Sequence, residues 1–212
     1  MSLWGRVFAA GYDRFLAPTE AAGLGAERDR VLADARGRVI EIGAGTGVNL
    51  SHYTPAVSEL VVCEPEAPMA ERLKKKVKKK KKNGLASVRV VAASAERLPF
   101  PDASFDCAVS TLVLCTVDDP TRAIHELGRV LRPQGRLLFI EHVRAPAGTR
   151  LARWQDRLAP LWLRFGHGCR CNRSTLEAIA AGPFDVEQST RGELPRAAPL
   201  VRPYITGRAV AR

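Results

Sequence analysis

Val39-Ile-Glu-Ile-Gly-Ala-Gly-Thr-Gly-Val48 is the stretch whose reading decides the fold. Its first half is a short apolar run broken only by Glu41, the pattern of a strand buried on both faces. Its second half places glycines at 43, 45 and 47, where the backbone can turn sharply and approach a ligand that any side chain would block. A strand running into a glycine-rich turn is how an α/β unit begins. Working outward, similar short runs recur at Glu59 to Cys63, Ser87 to Val91, Phe105 to Thr111 and Arg136 to His142, with two more near Asp185 and Tyr204. Between them, Pro120 to Leu131 carries Ile124, Leu127, Val130 and Leu131 at helical spacing, opens after Asp118-Asp119 and stops before Pro133 and Gly135. The turn-rich Leu98 to Asp106 segment reads as an irregular surface connection. Strands alternating with helices predict an α/β fold, a doubly wound and mostly parallel sheet with helices on both faces.

A chain of 212 residues holds one such domain with a sizeable core. Residues 1–37 read as one or two N-terminal helices, 38–143 as the ligand-binding half, and 144–212 as helical sequence with the final strands. No apolar run approaches the roughly 20 residues that span a bilayer, and charge interrupts the N-terminus as early as Arg6, so neither a transmembrane helix nor an export signal is expected. Five cysteines, an odd number and mostly within apolar runs, fit a reducing, cytoplasmic setting. The net charge of +11 is concentrated: all eight lysines lie between Lys74 and Lys82, and without them 25 arginines face 22 acids. Such a run could attract nucleic acid or anionic lipid, but a solvated helix surface accounts for it, and no nucleic-acid partner is expected.

The glycine spacing also narrows the ligand. Val48 stands where a dinucleotide fingerprint has its third glycine, and no Gly-Lys-Ser/Thr follows to make a phosphate loop. Glu64 closes the second strand, 21 residues after Gly43, where a carboxylate can accept both hydroxyls of a ribose. Glu41 beside the loop would repel a pyrophosphate but favour an ammonium, and loop N–H groups can receive a carboxylate. A nucleoside carrying a methionine, S-adenosylmethionine, has that ammonium and no phosphate. The plainer role for Glu41 is a strand-end acid paired with an arginine.

Glu41-Ile-Gly-Ala-Gly-Thr-Gly47, Glu64-Pro65, Ala93-Ser-Ala-Glu-Arg-Leu-Pro-Phe100, Ser104-Phe-Asp106 and Leu131-Arg-Pro-Gln-Gly-Arg136 stand in an order that resembles the class I S-adenosylmethionine-dependent methyltransferases. The resemblance implies a Rossmann-like sheet of seven strands with the last antiparallel. It places the donor, whose product is S-adenosylhomocysteine, against Glu41, Gly43, Ala44, Gly45, Gly47, Glu64 and Pro65. It sets Ala95 and Glu96 beside the adenine, with Thr111 and Leu112 flanking the methionine part. Where family members commonly carry Asp or Asn, this chain has Ser94. More narrowly, Thr111 to Val117, Glu141-His-Val143, Gly168-Cys169 and Val201 to Tyr204 resemble a methyltransferase-like group that includes alkyl thiol S-methyltransferases. That likeness implies a small apolar thiol as acceptor, with a quinone, a phenol or a phospholipid headgroup as alternatives. The animal members have an N-terminal membrane-anchoring helix that is not expected here.

Methyl transfer from a sulfonium needs the acceptor aligned behind the methyl, so positioning supplies much of the rate and no triad is required. A thiol with a pKa of about 8.5 is already a few per cent ionised near neutrality. If a base or orienting group exists, His142 at the fifth strand end is the first candidate, with Glu141 beside it; the plain alternative is a histidine that orders a loop. His167-Gly-Cys-Arg-Cys171 lacks the spacing of a zinc site, and no metal is expected. Trp154, Leu158, Leu161, Trp162 and Phe165 form an apolar stripe edged by Arg150, Arg153, Arg157 and Arg164. It could pack on the core, or, with Tyr12 and Phe15, cover an apolar acceptor or meet a membrane surface peripherally.

Overall fold

The computed structural model describes residues 3–80 and 87–212, with no account of the side chains of Leu3, Trp4 and Lys80. Two helices lead in, α1 (Leu3–Thr19) and α2 (Gly25–Leu32), joined by a π turn in which Gly23 takes φ 143°. The chain then alternates through β1 (Gly37–Ile42), β2 (Val57–Cys63), α3 (Ala67–Lys80), β3 (Ser87–Val91), β4 (Phe105–Thr111), α4 (Pro120–Val130) and β5 (Leu131–His142). It finishes with α5 (Arg150–Phe165), α6 (Thr175–Ala181), β6 (Phe184–Glu193) and β7 (Pro203–Ala211).

The seven strands lie in the order β3-β2-β1-β4-β5-β7-β6. β7 runs antiparallel to both β5 and β6, and the remaining pairings are parallel. The expected α/β class, strand number and antiparallel final strand are therefore those of the protein. Connections leave β1 towards β2 on one side while β4 lies on the other, so a crevice opens at the carboxyl ends of β1 and β4.

The continuous apolar strands are explained by two cores, one on each sheet face. Ile40, Ile42, Val61, Ala108, Leu137 and Phe139 pack under α4 and α6, whereas Val39, Leu60, Val62, Val109, Leu138 and Ile140 pack towards α2 and α3. Helix α3 joins that second core through Leu73 and Val77, which interrupt an otherwise charged sequence at i, i+4 spacing. The lysines around them project away: Lys74, Lys75, Lys78 and Lys79 are exposed, and Lys76 pairs with Asp13 of α1 at 2.8 Å. Lys81 and Lys82 lie outside the described residues.

Two boundaries differ from the sequence reading. Asp119 caps α4 by accepting the Arg122 N–H at 3.0 Å, as the Asp-Asp-Pro start implies, but β5 begins directly at Leu131 rather than at Arg136. Leu131 pairs with Phe105, and the register then slips across Arg132 to Gly135, where Gln134 takes φ 64°; the Pro-Gln-Gly signal marks an irregularity inside the strand. The Leu98 to Asp106 connection is irregular as expected, yet it buries Leu98 and Phe100. Arg129 holds it by donating to the carbonyls of Leu98 and Phe100 at 3.0 and 2.9 Å.

Candidate active site

The three glycines of the loop serve two different purposes. Gly43, Gly45 and Gly47 all have positive φ, at 53°, 55° and 81°. A Cβ on Gly43 would lie 2.6 Å from the Val113 methyls, and one on Gly47 would lie 2.7 Å from Leu73 and 2.8 Å from Leu50. A Cβ on Gly45 would meet nothing closer than the Gly43 carbonyl at 4.0 Å. The outer glycines serve packing, and the middle one faces open space through which a ligand can reach the backbone.

Beside this loop the ends of the strands bring the sequence-predicted residues together. Buried Ala44 donates its N–H to the Cys63 carbonyl at 2.9 Å. Glu64, 5% exposed, accepts the Gly45 N–H at 2.8 Å on one oxygen and the Glu66 N–H at 2.8 Å on the other. Burial raises its pKa, and those two N–H groups work against the rise. Each carboxylate oxygen keeps a further lone pair for a ribose hydroxyl. Pro65 follows at the exposed rim.

Glu41 is more engaged than the sequence suggests. Its oxygens accept from Asn49 at 3.0 Å and from the Tyr53 hydroxyl at 2.7 Å, and burial lifts its pKa to about 7 against those hydrogen bonds. Asn49 also donates to Thr111 at 2.8 Å and accepts from Arg28 at 2.7 Å. Arg28, itself buried, is paired with Glu20 at 2.9 Å. Asn49, Tyr53 and Arg28 were invisible to motif reading because their spacing carries no pattern. The arginine near Glu41 acts across Asn49 rather than by direct pairing.

In the turn after β3, Ala95 is buried and Ser94 accepts the Glu96 N–H at 3.2 Å through its hydroxyl. A side-chain oxygen thus still braces the turn where Asp or Asn is commoner. Glu96 turns its Oε1 to the N–H groups of Asp118 and Asp119, at 2.7 and 3.0 Å, linking this turn to the start of α4.

The loop after β4 is shaped from beneath. Leu112 takes φ 59° and donates to the Ile140 carbonyl at 2.7 Å. Glu141, fully buried, receives on Oε1 the Ser110 hydroxyl at 2.6 Å and the Val113 and Leu114 N–H groups at 3.1 Å. Burial lifts it to about 7, and its Oε2 has no hydrogen-bond partner among the described residues. His142 keeps a buried Nδ1 that has no partner among the described residues; burial depresses its pKa to about 4, opposed by a hydrogen bond to the Val201 backbone. Burial thus favours the uncharged imidazole near neutral pH.

Two segments distant in sequence close the crevice. Asp13 of α1 hydrogen-bonds Thr46 of the glycine loop. His167, with φ 50°, lies 2.7 Å from Glu66 and stacks on Phe8 with ring centroids 4.3 Å apart. Tyr12 is half-buried in the same helix, its hydroxyl pushed up to about 12 by burial. Helix α5 behaves differently from a core-packed helix. Only Ala152 and Gln155 are buried, while Trp154, Leu161 and Phe165 are 49%, 55% and 63% exposed. The helix is held from behind by Gln155, which accepts from Ala145 and donates to the carbonyls of Val143, Cys171 and Leu200. Among the described residues no helix is long and apolar enough to cross a membrane.

Comparison with known proteins adds to this geometry. A methyltransferase domain model matches residues 40–139. The chain is 35% identical over 181 residues to the thiol S-methyltransferase TMT1B of Homo sapiens, covering 84% of this chain and 73% of that protein. It is 34% identical over 107 residues to the ubiquinone/menaquinone biosynthesis C-methyltransferase UbiE of Pectobacterium atrosepticum, covering 49% and 42%. In structure it is similar to an S-adenosylmethionine-dependent methyltransferase of Thermotoga maritima, with TM-score 0.70, 23% identity, and 98% and 97% of the two chains covered.

Proposed function

The chain belongs to the class I S-adenosylmethionine-dependent methyltransferases, and from that premise we propose that it methylates a small apolar thiol. The observation that carries this reading is the extent of the likeness to the thiol S-methyltransferase. A match over 181 residues must run well beyond residues 38–143, whereas the matches to quinone C-methyltransferases run over 107 to 122 residues.

In this reading Glu64 holds the ribose, the N–H groups of the Gly43 to Gly47 loop face the methionine carboxylate, and Ala95, Glu96 and exposed Pro65 border the adenosine. Thr111 and Leu112 line the methionine side. Glu41 supports that side at one remove, because Asn49 and Tyr53 already occupy its oxygens. When bound, S-adenosylmethionine supplies an electrophilic methyl on a sulfonium. The protein's contribution is placement in a dry, closed space, worth roughly 7–11 kcal/mol in well-aligned systems. Glu141 acts as a positioning residue through the loop it shapes, and His142, at the end of β5, orients the acceptor's S–H or takes its proton. The outward stripe of α5, with Phe15 of α1, forms an apolar approach for the acceptor, and its arginine edge suits peripheral contact with an anionic surface.

The test is a mixed panel of thiols, phenols, quinones and lipids incubated with the protein and S-adenosylmethionine, with products identified by mass spectrometry. Methyl thioethers from apolar thiols are expected. Methylated phenols or quinones in their place would move the acceptor to the alternative class. Calorimetry with S-adenosylmethionine on Glu64→Ala, expected to show sharply weakened binding, checks the pocket separately.

A further inference from the structure

Five cysteines are present and all are buried, but they are not chemically alike. Cys63 and Cys107 sit in strands, each thiol pushed up to about 12 mainly by burial. Cys171 points its sulfur at the Gln155 carbonyl and is raised to about 11 by burial. Cys115 and Cys169 come from segments more than fifty residues apart, yet they meet in one small buried cluster with Cys171, Val201 and Trp162.

The backbone fixes this meeting. Arg170 donates its N–H to the Cys115 carbonyl at 2.8 Å, and the Arg173 guanidinium donates to the carbonyls of Leu114 and Val117. The loop after β4 and the stretch after α5 are thus stitched together on both sides of the two sulfurs. The polarity of the pair is also set. The side chains of Cys115 and Trp162 lie against Cys169 in this cluster. The neighbouring Cys115 thiol holds Cys169 below its ordinary range, aided by the Arg173 charge, while Cys115 is raised. A low thiol pKa beside a second thiol is the arrangement of an attacking and a resolving cysteine.

We infer that Cys115 and Cys169 form a reversible redox lock, oxidised by low-molecular-weight disulfides, that fixes the loop over the glycine turn to the segment carrying His167. The Cys169 thiolate attacks one sulfur of the disulfide RSSR, forming a mixed disulfide and releasing RS⁻. The Cys115 thiolate then attacks the Cys169 sulfur, closing the intramolecular bond and releasing the second RS⁻. The two thiolates take up the two protons the cysteines lose, so one disulfide is reduced to two thiols as the protein dithiol is oxidised. Val113, two residues before Cys115, packs on Gly43, and His167, two residues before Cys169, pairs with Glu66 next to the Glu64 loop. A covalent bond between these walls hinders the opening through which the cofactor leaves. The inference deepens the proposed function, because a thiol-methylating enzyme would meet the oxidised dimers of its own acceptors.

The full chain is incubated with bis(2-hydroxyethyl) disulfide, digested without reduction and mapped by mass spectrometry. A Cys115–Cys169 crosslink with loss of two hydrogens, reversed by dithiothreitol and retained in Cys171→Ser, is expected. Pre-bound radiolabelled S-adenosylmethionine should dissociate several-fold more slowly from the oxidised protein, and Cys169→Ser should abolish that change. A crosslink to Cys171, a mixed disulfide that never resolves, no reaction, or unchanged cofactor release would each overturn the inference. The mapping uses wild-type protein, so it does not depend on whether the serine variants fold. It also does not depend on methyl transfer: a reduced protein that binds the cofactor but methylates no thiol refutes the acceptor assignment and leaves the lock standing.

Discussion

At the scale of single residues, the glycine loop separates fold from ligand. Gly43→Ala forces a Cβ against the Val113 methyls at a positive φ, and a loss of about 1–3 kcal/mol in unfolding free energy is expected. Gly45→Arg projects into open space, and it should abolish calorimetric binding of S-adenosylmethionine at a stability cost set by its positive φ alone. Comparable loss of binding without loss of stability at both positions would refute that division. Glu141 gives a second residue-level prediction, in pH. Burial raises it from 4.5 to about 7, so its proton is held more tightly in the folded than in the unfolded chain. The resulting stabilisation is complete below the unfolded value and is lost as pH rises through about 7. Glu141→Gln lacks this titration. The stability of the wild type relative to the variant should therefore fall, by on the order of 3 kcal/mol, between acid and mildly alkaline pH in denaturant titrations. Groups common to both proteins, His142 included, cancel in the difference. Of the residues expected at the site, Glu64 and the glycines were legible because strand, turn and acid fall at fixed spacing. That Glu41 is spanned by Asn49 and Tyr53 was not, since hydrogen-bond partners are chosen in space.

Among elements, α5 tests how far periodicity can be read. The stripe from Trp154 to Phe165 was evident in the sequence, but an apolar stripe does not say whether it faces the core or away from it. Here the hydrogen bonds of Gln155 fix the opposite face to the body, leaving Trp154, Leu161 and Phe165 outward. Replacing Trp154 and Leu161 by Ser should therefore change thermal stability by less than about 0.5 kcal/mol each, as at ordinary surface sites. The same replacements should raise KM for an apolar acceptor while leaving cofactor binding unchanged. A large stability loss would mean that the stripe is core. The start of β5 shows the opposite limit. Pro133 and Gly135 are turn formers locally, and pairing of Leu131 with Phe105 overrides them.

For the whole molecule, the concentrated charge and the topology make separate demands. Changing Lys74, Lys75 and Lys78 to Lys82 to Gln, with Lys76 kept for its contact with Asp13, lowers the net charge of +11 by seven. Methyl transfer to small molecules is expected to be unchanged in a turnover assay, and a loss restored by added RNA would refute the small-molecule reading. The sequence by itself determined the layer architecture, the strand that carries the glycine loop and the identity of the donor, because periodicity, glycine spacing and a strand-end carboxylate are local signals that the backbone cannot ignore. Only the tertiary structure decided which carboxylates already have partners, which way α5 turns its stripe, how His167 meets Glu66 and how Cys115 meets Cys169. Those contacts join segments far apart in the chain, and their free energy depends on distance and desolvation in the folded protein, which no spacing along the sequence encodes.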